Sequence, residues 1–260
     1  MGNLQHVVIT GASSGLGSAL AQIYARDGGH LTLFGRHAPR LAAVAQSCRA
    51  KGSVVASIIC DVTDSLQMQQ SLTAADSARP IDLLIANAGI GGRAVMAPAS
   101  GEGAQLARSI LEINTLGVVN TVAPLLERFT QRRHGHVVIV SSVMAYQGLA
   151  EAPIYAASKA AIRTYGQGLR RLLAPQNVDV TIVCPGFIAT PMSHSLPFAG
   201  PFMVSAEAAA RRIANGIARR EREIVFPWQM RALATAANLL PAPVFDRILA
   251  AGKALTTRSR

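Results

Sequence analysis

Acidic side chains are scarce in this chain of 260 residues: 14 Asp and Glu stand against 25 Lys and Arg, a formal charge of +11, and only 15% of residues are charged at all. Half the residues are apolar and the mean hydropathy is +0.30. Disorder needs the opposite balance, low hydrophobicity with high charge, and is excluded. Cysteine is almost missing. Cys48, Cys60 and Cys184 are an odd number without paired spacing, each in or beside an apolar stretch, which excludes a disulfide scaffold and points to a reducing compartment, the cytoplasm. Aromatic residues make up 5%. The basic clusters at Arg132-Arg133, Arg170-Arg171, Arg211-Arg212 and Arg219, Arg220 and Arg222 lack the interleaved rings of a base-stacking surface, so nucleic acid is not expected as a partner despite a pI of about 10.7. No apolar run reaches the ~18 residues that span a bilayer. The opening Met1 to His6 has neither the basic n-region nor the long apolar h-region of a secretory signal, and His6 stands where myristoylation of Gly2 wants Ser or Thr.

What the chain does have is rhythm. Short, β-branched, nearly continuous apolar runs recur at His6 to Thr10, Leu31 to Phe34, Val54 to Ile59, Asp82 to Ala86, His136 to Ser141, Asp179 to Val183 and Glu223 to Phe226. Between them lie helical patterns at Gly15 to Asp27, Arg40 to Lys51, Leu66 to Ser77, Gln105 to Gln131, Pro153 to Leu173 and Ala206 to Arg219, with Asp64 or Ser65 and Ser205 as N-caps. Alternation of this kind predicts an α/β fold, a parallel sheet of about seven strands with helices on both faces and with both faces covered. No repeat or linker divides the chain, so residues 1–260 are expected to form a single domain, with 227–260 an apolar helical C-terminal extension.

The first strand runs into Thr10-Gly11-Ala12-Ser13-Ser14-Gly15-Leu16-Gly17 and then straight into a helix. Glycines at 11, 15 and 17 permit a tight turn, a close backbone approach to a pyrophosphate and close helix–strand packing, while the helix N-terminus offers unpaired N–H donors to the anion. The spacing Gly-x-x-x-Gly-x-Gly, in this position, resembles the cofactor turn of the short-chain dehydrogenase/reductase family, and the resemblance extends to the last strand. It implies a Rossmann-type doubly wound sheet. It also implies cofactor contacts at Gly11, Ser13, Ser14, Gly15, Leu16 and Gly17, an adenine contact at Asp61 and Val62, and a turn beside the cofactor at Asn87, Ala88 and Gly89. Ala86 precedes that turn where the family often has a second Asn. Pro185, Gly186, Ile188 and Thr190 are similar to the family's nicotinamide-contacting segment. The second strand ends in Gly35-Arg36, with no carboxylate for a ribose hydroxyl and a cation suited to a 2′-phosphate, so NADP(H) is expected over NAD(H). Ser14 stands where many NADP-dependent relatives carry Lys or Arg.

Tyr155 and Lys159 are four residues apart in a helical segment and share one face. An ordinary phenol, with pKa ~10, holds its proton too tightly to act at neutral pH, and positive charge from Lys159 and from an oxidised nicotinamide is expected to favour the tyrosinate. Ser142, thirteen residues before Tyr155 and just after the fifth strand, matches the family's catalytic serine; Ser141 is its rival, and alternation points the two to opposite faces. Asn114, a poor residue for a helix interior, matches the fourth catalytic position, where the resemblance implies a water relay from Lys159 to solvent. Positions 155 and 159 count among both the catalytic and the cofactor-binding candidates. His134 and His136 precede a strand without a nearby carboxylate or thiolate, so no metal is expected.

The activity implied is hydride transfer between NADP(H) and a carbonyl or alcohol. The segment from Met192 to Val204, with Leu196, Pro197, Phe198, Phe202 and Met203, is expected to cover the substrate and favour a moderately hydrophobic ketone, aldehyde or secondary alcohol; Met144, Tyr146 and Leu149 are further lining candidates. A homodimer or homotetramer through the helices carrying Asn114 and Tyr155 is implied by the resemblance. The tail after Pro227, with Arg231, Arg247 and Lys253, offers peripheral membrane contact as an alternative use of its apolar face. Competing readings are a sugar-nucleotide epimerase or dehydratase, which normally needs more substrate domain than the 34 residues after Phe226, and a catalytically silent nucleotide-sensing or scaffold protein on the same fold.

Overall fold

The computed structural model describes residues 5–91, 102–148, 152–193 and 203–230, with positions 232, 244 and 247. Seven strands form one parallel sheet: β1 (His6–Ile9), β2 (His30–Gly35), β3 (Val54–Ile59), β4 (Leu83–Ala86), β5 (His136–Val140), β6 (Asp179–Pro185) and β9 (Glu223–Phe226). Their order is β3-β2-β1-β4-β5-β6-β9. The chain winds outward from β1 to β3, then returns to the other side of β1, where Val7 pairs with both Leu31 of β2 and Leu83 of β4. This reversal opens a crevice at the carboxyl ends of β1 and β4, the place where doubly wound sheets bind ligands.

Alternation along each strand builds two cores. Ile9, Leu33, Ile85, Val138 and Val183 face α1 (Gly15–Tyr24), α2 (Ala38–Arg49) and α7 (Ala206–Ala218). Val8, Phe34, Leu84, Val137 and Ile139 face α3 (Ser65–Ala78), α5 (Gly117–Gln131) and α6 (Pro153–Leu173). Caps set the starts of several helices: the Asp64 carboxylate accepts from the Gln67 N–H at 2.9 Å and the Ser205 hydroxyl from the Ala208 N–H at 3.1 Å.

Four features depart from the expectations. The edge strand β3 is only partly covered: Val55 is buried, while Val54 (57%) and Ile59 (46%), on opposite faces, are exposed. The fourth helix starts earlier, as α4 (Glu102–Leu111), and is interrupted by a π-helical segment, Glu112–Leu116, before α5. A window of Gly103–Gln131 is also long and apolar enough, at mean hydropathy 1.3, to cross a membrane by length and composition, where no such run was expected; its Val122, Leu125 and Phe129 lie in the core. Finally, β7 (Ile188–Ala189) and β8 (Val204–Ser205) form a separate two-stranded parallel sheet. Leu149, residues 194–202, which include Leu196, Pro197, Phe198 and Phe202, and most of the tail lie outside the described residues.

Candidate active site

The turn after β1 is tied to the turn after β4. The Thr10 hydroxyl oxygen accepts from the N–H groups of Asn87 (3.1 Å) and Ala88 (3.2 Å), and the Asn87 amide donates to the Thr10 carbonyl at 2.9 Å. Asn87 is thus a brace between the two strand ends. The glycines are required by space. At Gly11, with φ +67°, a Cβ would lie 2.8 Å from Ala88 Cα, and at Gly17 a Cβ would lie 2.2 Å from the Gly11 carbonyl oxygen. Ser14 precedes α1 without a side-chain cap bond, so the first N–H groups of that helix keep their capacity for an anion.

At the end of β2, Gly35 is buried against Ser13, whose Cβ would be 3.2 Å from a Cβ on residue 35. Arg36 follows, and its guanidinium donates to Asp61 Oδ2 at 3.1 Å. Partial burial works to raise the Asp61 pKa, but hydrogen bonds from the Thr63 N–H and hydroxyl and from Arg36 outweigh it and leave the carboxyl below its ordinary value. Two residues expected to contact different parts of a nucleotide are therefore partners.

On the other side of the crevice, Tyr155 and Lys159 project from the first turns of α6. The Lys159 ammonium is buried, donates to the Val140 carbonyl at 3.1 Å, and lies 5.7 Å from the Tyr155 ring centre. Burial pulls the Lys159 pKa down to about 8, partly opposed by the neighbouring Cys184. The Tyr155 pKa is raised, not lowered: burial dominates, and a hydrogen bond with Ser142 offsets only part of it. Burial thus works against the tyrosinate that Lys159 and an oxidised nicotinamide are expected to favour, because desolvation penalises both charged forms in one small space. Ser142 opens a short 3₁₀ turn, Val143–Ala145, and its oxygen accepts from the Met144 N–H at 3.2 Å, leaving its proton for another partner. Ser141 is otherwise engaged, donating to the Lys159 carbonyl at 2.8 Å.

Asn114 lies in the π-helical segment, fully buried. Its Oδ1 accepts from the Ile90 N–H at 2.8 Å, and its Nδ2 donates to the Ile90 carbonyl at 3.0 Å and to Ser158 Oγ at 3.3 Å. The loop after β4 is thereby pinned to α6. A Cβ on Gly89 would fall 3.1 Å from Asn114 Oδ1 and 3.4 Å from Lys159 Nζ, so the bare glycine leaves space between these two groups.

All these parts surround one cleft of about 1000 Å³. It is lined by Gly11, Ser13 to Gly17, Arg36, Asp61, Val62, Asn87 to Gly89, Ser142, Tyr155, Lys159, Pro185, Gly186, Ile188 and Thr190; of the expected site residues only Asn114 stands behind the wall. Sequence reasoning missed His37 and Arg40 beside Arg36, and Met230, which comes from the tail. Met230 Sδ is 2.9 Å from where a Cβ on Gly186 would stand. The first two carried a signal, basic residues just after β2; Met230 carried none, since it reaches the cleft only through the turn after Phe226. Met192 and Met144 line the same space, and Tyr146 does not. The His134 ring meets Asp82 Oδ1 at 3.0 Å, a carboxylate the sequence reading did not place nearby, and His136 meets the Thr181 hydroxyl at 2.8 Å. Both contacts are structural.

A doubly wound sheet with a glycine turn at its switch point and a Tyr/Lys pair across the crevice defines a dinucleotide-dependent oxidoreductase fold. Residues 5–198 match the short chain dehydrogenase family. An "uncharacterized oxidoreductase" of Myxococcus xanthus is 35% identical over 240 residues, covering 92% of this chain and 94% of that one. Among solved structures, a short-chain dehydrogenase from Sphingobium yanoikuyae in complex with NADPH superposes with TM-score 0.78 at 27% identity, over 98% of this chain and 96% of that one. A bulky-bulky ketone specific alcohol dehydrogenase from Comamonas testosteroni gives 0.77 at 25%, over 99% and 96%. The chain belongs to the short-chain dehydrogenase/reductase family and is an oxidoreductase.

Proposed function

We propose that the protein interconverts a bulky, apolar ketone or aldehyde and its alcohol, with NADP(H) preferred over NAD(H). The observation that carries this reading is the convergence of Ser142, Tyr155 and Lys159 at one end of a cleft whose other end is the glycine turn. The turn suits a dinucleotide: Gly11 and Gly17 leave bare backbone where any side chain would collide, and the uncapped start of α1 suits a pyrophosphate. Gly11, Ser13 to Gly17, Asp61, Val62, Asn87 to Gly89, Pro185, Gly186, Ile188 and Thr190 would hold the cofactor. Arg36, with Gly35 presenting no carboxylate, would take the 2′-phosphate, with His37 and Arg40 on the same wall. Once bound, the dinucleotide gives or takes the hydride.

The chain's own residues manage the proton. Ser142, with its oxygen already accepting from Met144, donates to the substrate oxygen and holds it beside Tyr155. Tyr155, kept protonated by burial, gives its proton to that oxygen during reduction and recovers it from the buried Lys159 ammonium. The space beside Gly89, between Asn114 Oδ1 and Lys159 Nζ, suits a water that resupplies the lysine. Substrate size follows from Met144, Met192 and Met230, three flexible thioethers that line the cleft. The name of the Comamonas testosteroni relative agrees with a bulky ketone.

A silent nucleotide sensor would not need Ser142, Tyr155 and Lys159 converging at one end of the cleft with Asn114 bracing the wall behind them, and the intact set favours turnover. Three free, buried cysteines fit a cytoplasmic protein. Exposed Leu116 on the π-helical segment (55%) and Leu172 on α6 (67%) favour a homodimer or homotetramer through those helices, and exposed Trp228 (66%) and Val244 (44%) are what the tail offers a membrane surface. The test is a panel of carbonyls of graded apolar size, following NADPH absorbance. Activity should rise with size, and Tyr155→Phe should lower kcat by about 10²- to 10⁴-fold. Turnover surviving that substitution refutes the mechanism.

A further inference from the structure

Behind the catalytic wall, and outside the cleft lining, side chains from four elements meet. Arg163 sits one helical turn beyond Lys159 on α6. Its guanidinium stacks 4.0 Å over the Tyr146 ring, and its Nε donates to Glu223 Oε1 at 2.8 Å. Both partners of that ion pair are largely buried, 21% and 16% exposed. Tyr146 ends the 3₁₀ turn that Ser142 begins. Glu223 begins β9, and the Cys184 thiol of β6 lies 4.0 Å from its Oε1. Cys184 in turn neighbours Lys159, whose ammonium negative charge on that side would favour.

A buried ion pair returns little stability over an apolar pair of the same volume. A planar guanidinium held by a ring on one side and a carboxylate on the other instead fixes orientation. We infer that Arg163 is a positioning residue: it locks the turn carrying Ser142 against the helix carrying Tyr155 and Lys159, and neutralises Glu223 so that the catalytic pair does not feel its charge. The inference rests on the catalytic reading of Ser142, Tyr155 and Lys159 given above. The groups that meet that pair are Ser142 from the 3₁₀ turn and Cys184 from β6, with the uncharged Asn114 across the space beside Gly89; Glu223 from β9, Arg163 from α6 and Tyr146 from the end of the 3₁₀ turn lie one step further out, beyond the thiol. With Arg163 in place, burial and then Glu223 hold the Cys184 thiol protonated, its pKa pushed up to about 11, while Arg163 opposes that push. Without it, a bare buried carboxylate faces Cys184 and favours the ammonium of Lys159.

Three variants test this: Arg163→Met, Arg163→Lys and Tyr146→Leu. Two readouts are taken, the pH profile of kcat and the tyrosinate absorbance of Tyr155, obtained by difference from Tyr155→Phe. In Arg163→Met, kcat should fall about 10- to 100-fold through misplacement of Ser142, with cofactor KM little changed. Both midpoints should rise by about half a pH unit or more. Arg163→Lys restores the charge and returns the midpoints toward wild type, while the lost stack leaves kcat low. Tyr146→Leu lowers kcat in the same way and stands in if Arg163→Met does not fold. Unchanged midpoints in Arg163→Met with wild-type kcat in Tyr146→Leu, whatever happens to Tm, overturn the inference. The absorbance titration needs no turnover, so it judges Arg163 even if no carbonyl in the panel is reduced, an outcome that would count against the proposed reaction alone.

Discussion

Replacing Arg36 by alanine should remove the preference for a 2′-phosphorylated dinucleotide while leaving use of the unphosphorylated one nearly intact. The magnitude follows from three features of the site. Position 35 has no side chain and is closed by Ser13, so nothing there competes for a ribose hydroxyl. Arg36 is 59% exposed, which places its contribution in partly screened surroundings. It also has a partner to surrender, Asp61 at 3.1 Å. A charge-assisted hydrogen bond to phosphate contributes about 1.5–3 kcal/mol, and an exposed ion pair about 0–1 kcal/mol. The difference is about 0.5–3 kcal/mol, or roughly 2- to 150-fold in the NADPH/NADH ratio of kcat/KM. Asp61→Asn works the other way: freeing Arg36 should raise the ratio by up to about fivefold. Initial rates with each cofactor at a fixed carbonyl concentration measure both, and added salt should shrink the wild-type ratio. If Arg36→Ala leaves the ratio within about twofold of wild type, the assignment of Arg36 to the phosphate is wrong.

Two further outcomes follow from other parts of the molecule. Met230→Ala should lower kcat/KM for small ketones by about 5- to 30-fold, the value of about 1–2 kcal/mol of lost apolar contact, while sparing bulky ones that fill the space; an unchanged ranking of substrates removes Met230 from the substrate wall. Acid should destabilise the fold through His136, whose pKa is brought down to about 4 mainly by burial, with Arg220 adding to the effect and Asp179 opposing it. The unfolded chain takes up this proton near 6.5 and the folded one does not, so the stabilisation is complete above pH 6.5 and is lost as pH falls toward 4, by about 3 kcal/mol. His6, also shifted down by burial, acts in the same direction. Urea unfolding at a series of pH values checks this, and a flat profile in that window contradicts it.

The parts that were legible in the sequence are those whose physics is local. β1, β2, β5 and β6 announce themselves because strands covered on both faces must be continuously apolar. The turn from Gly11 to Gly17 is legible because three glycines are needed within one helix entry. Tyr155 and Lys159 share a face by spacing alone. What stayed hidden depends on chain segments far apart in sequence. Nothing near Met230 signals that it will meet Gly186, and nothing near Arg163 signals Glu223, 60 residues on. The β7–β8 pair is two residues long on each side, too short for any period to show. The burial that raises the Tyr155 pKa stayed hidden for the same reason: it belongs to the assembled wall, whereas the i, i+4 neighbour is visible locally. Asn114 was the one local hint of the π-helical segment, a residue ill suited to a regular helix in that position.

That segment is an α-helix carrying one surplus residue. The wide turn absorbs the extra residue within itself, so removing one position between Glu112 and Leu116 would close it to ordinary α geometry and leave α4 and α5 in phase. Val118, Val122, Leu125 and Phe129 would keep their places in the core, whereas Asn114 would lose its hold on Ile90 and Ser158. A single-residue deletion there should therefore spare the packing of the second half of the helix and loosen the bracing of the cleft, a separation that few substitutions along its length could achieve.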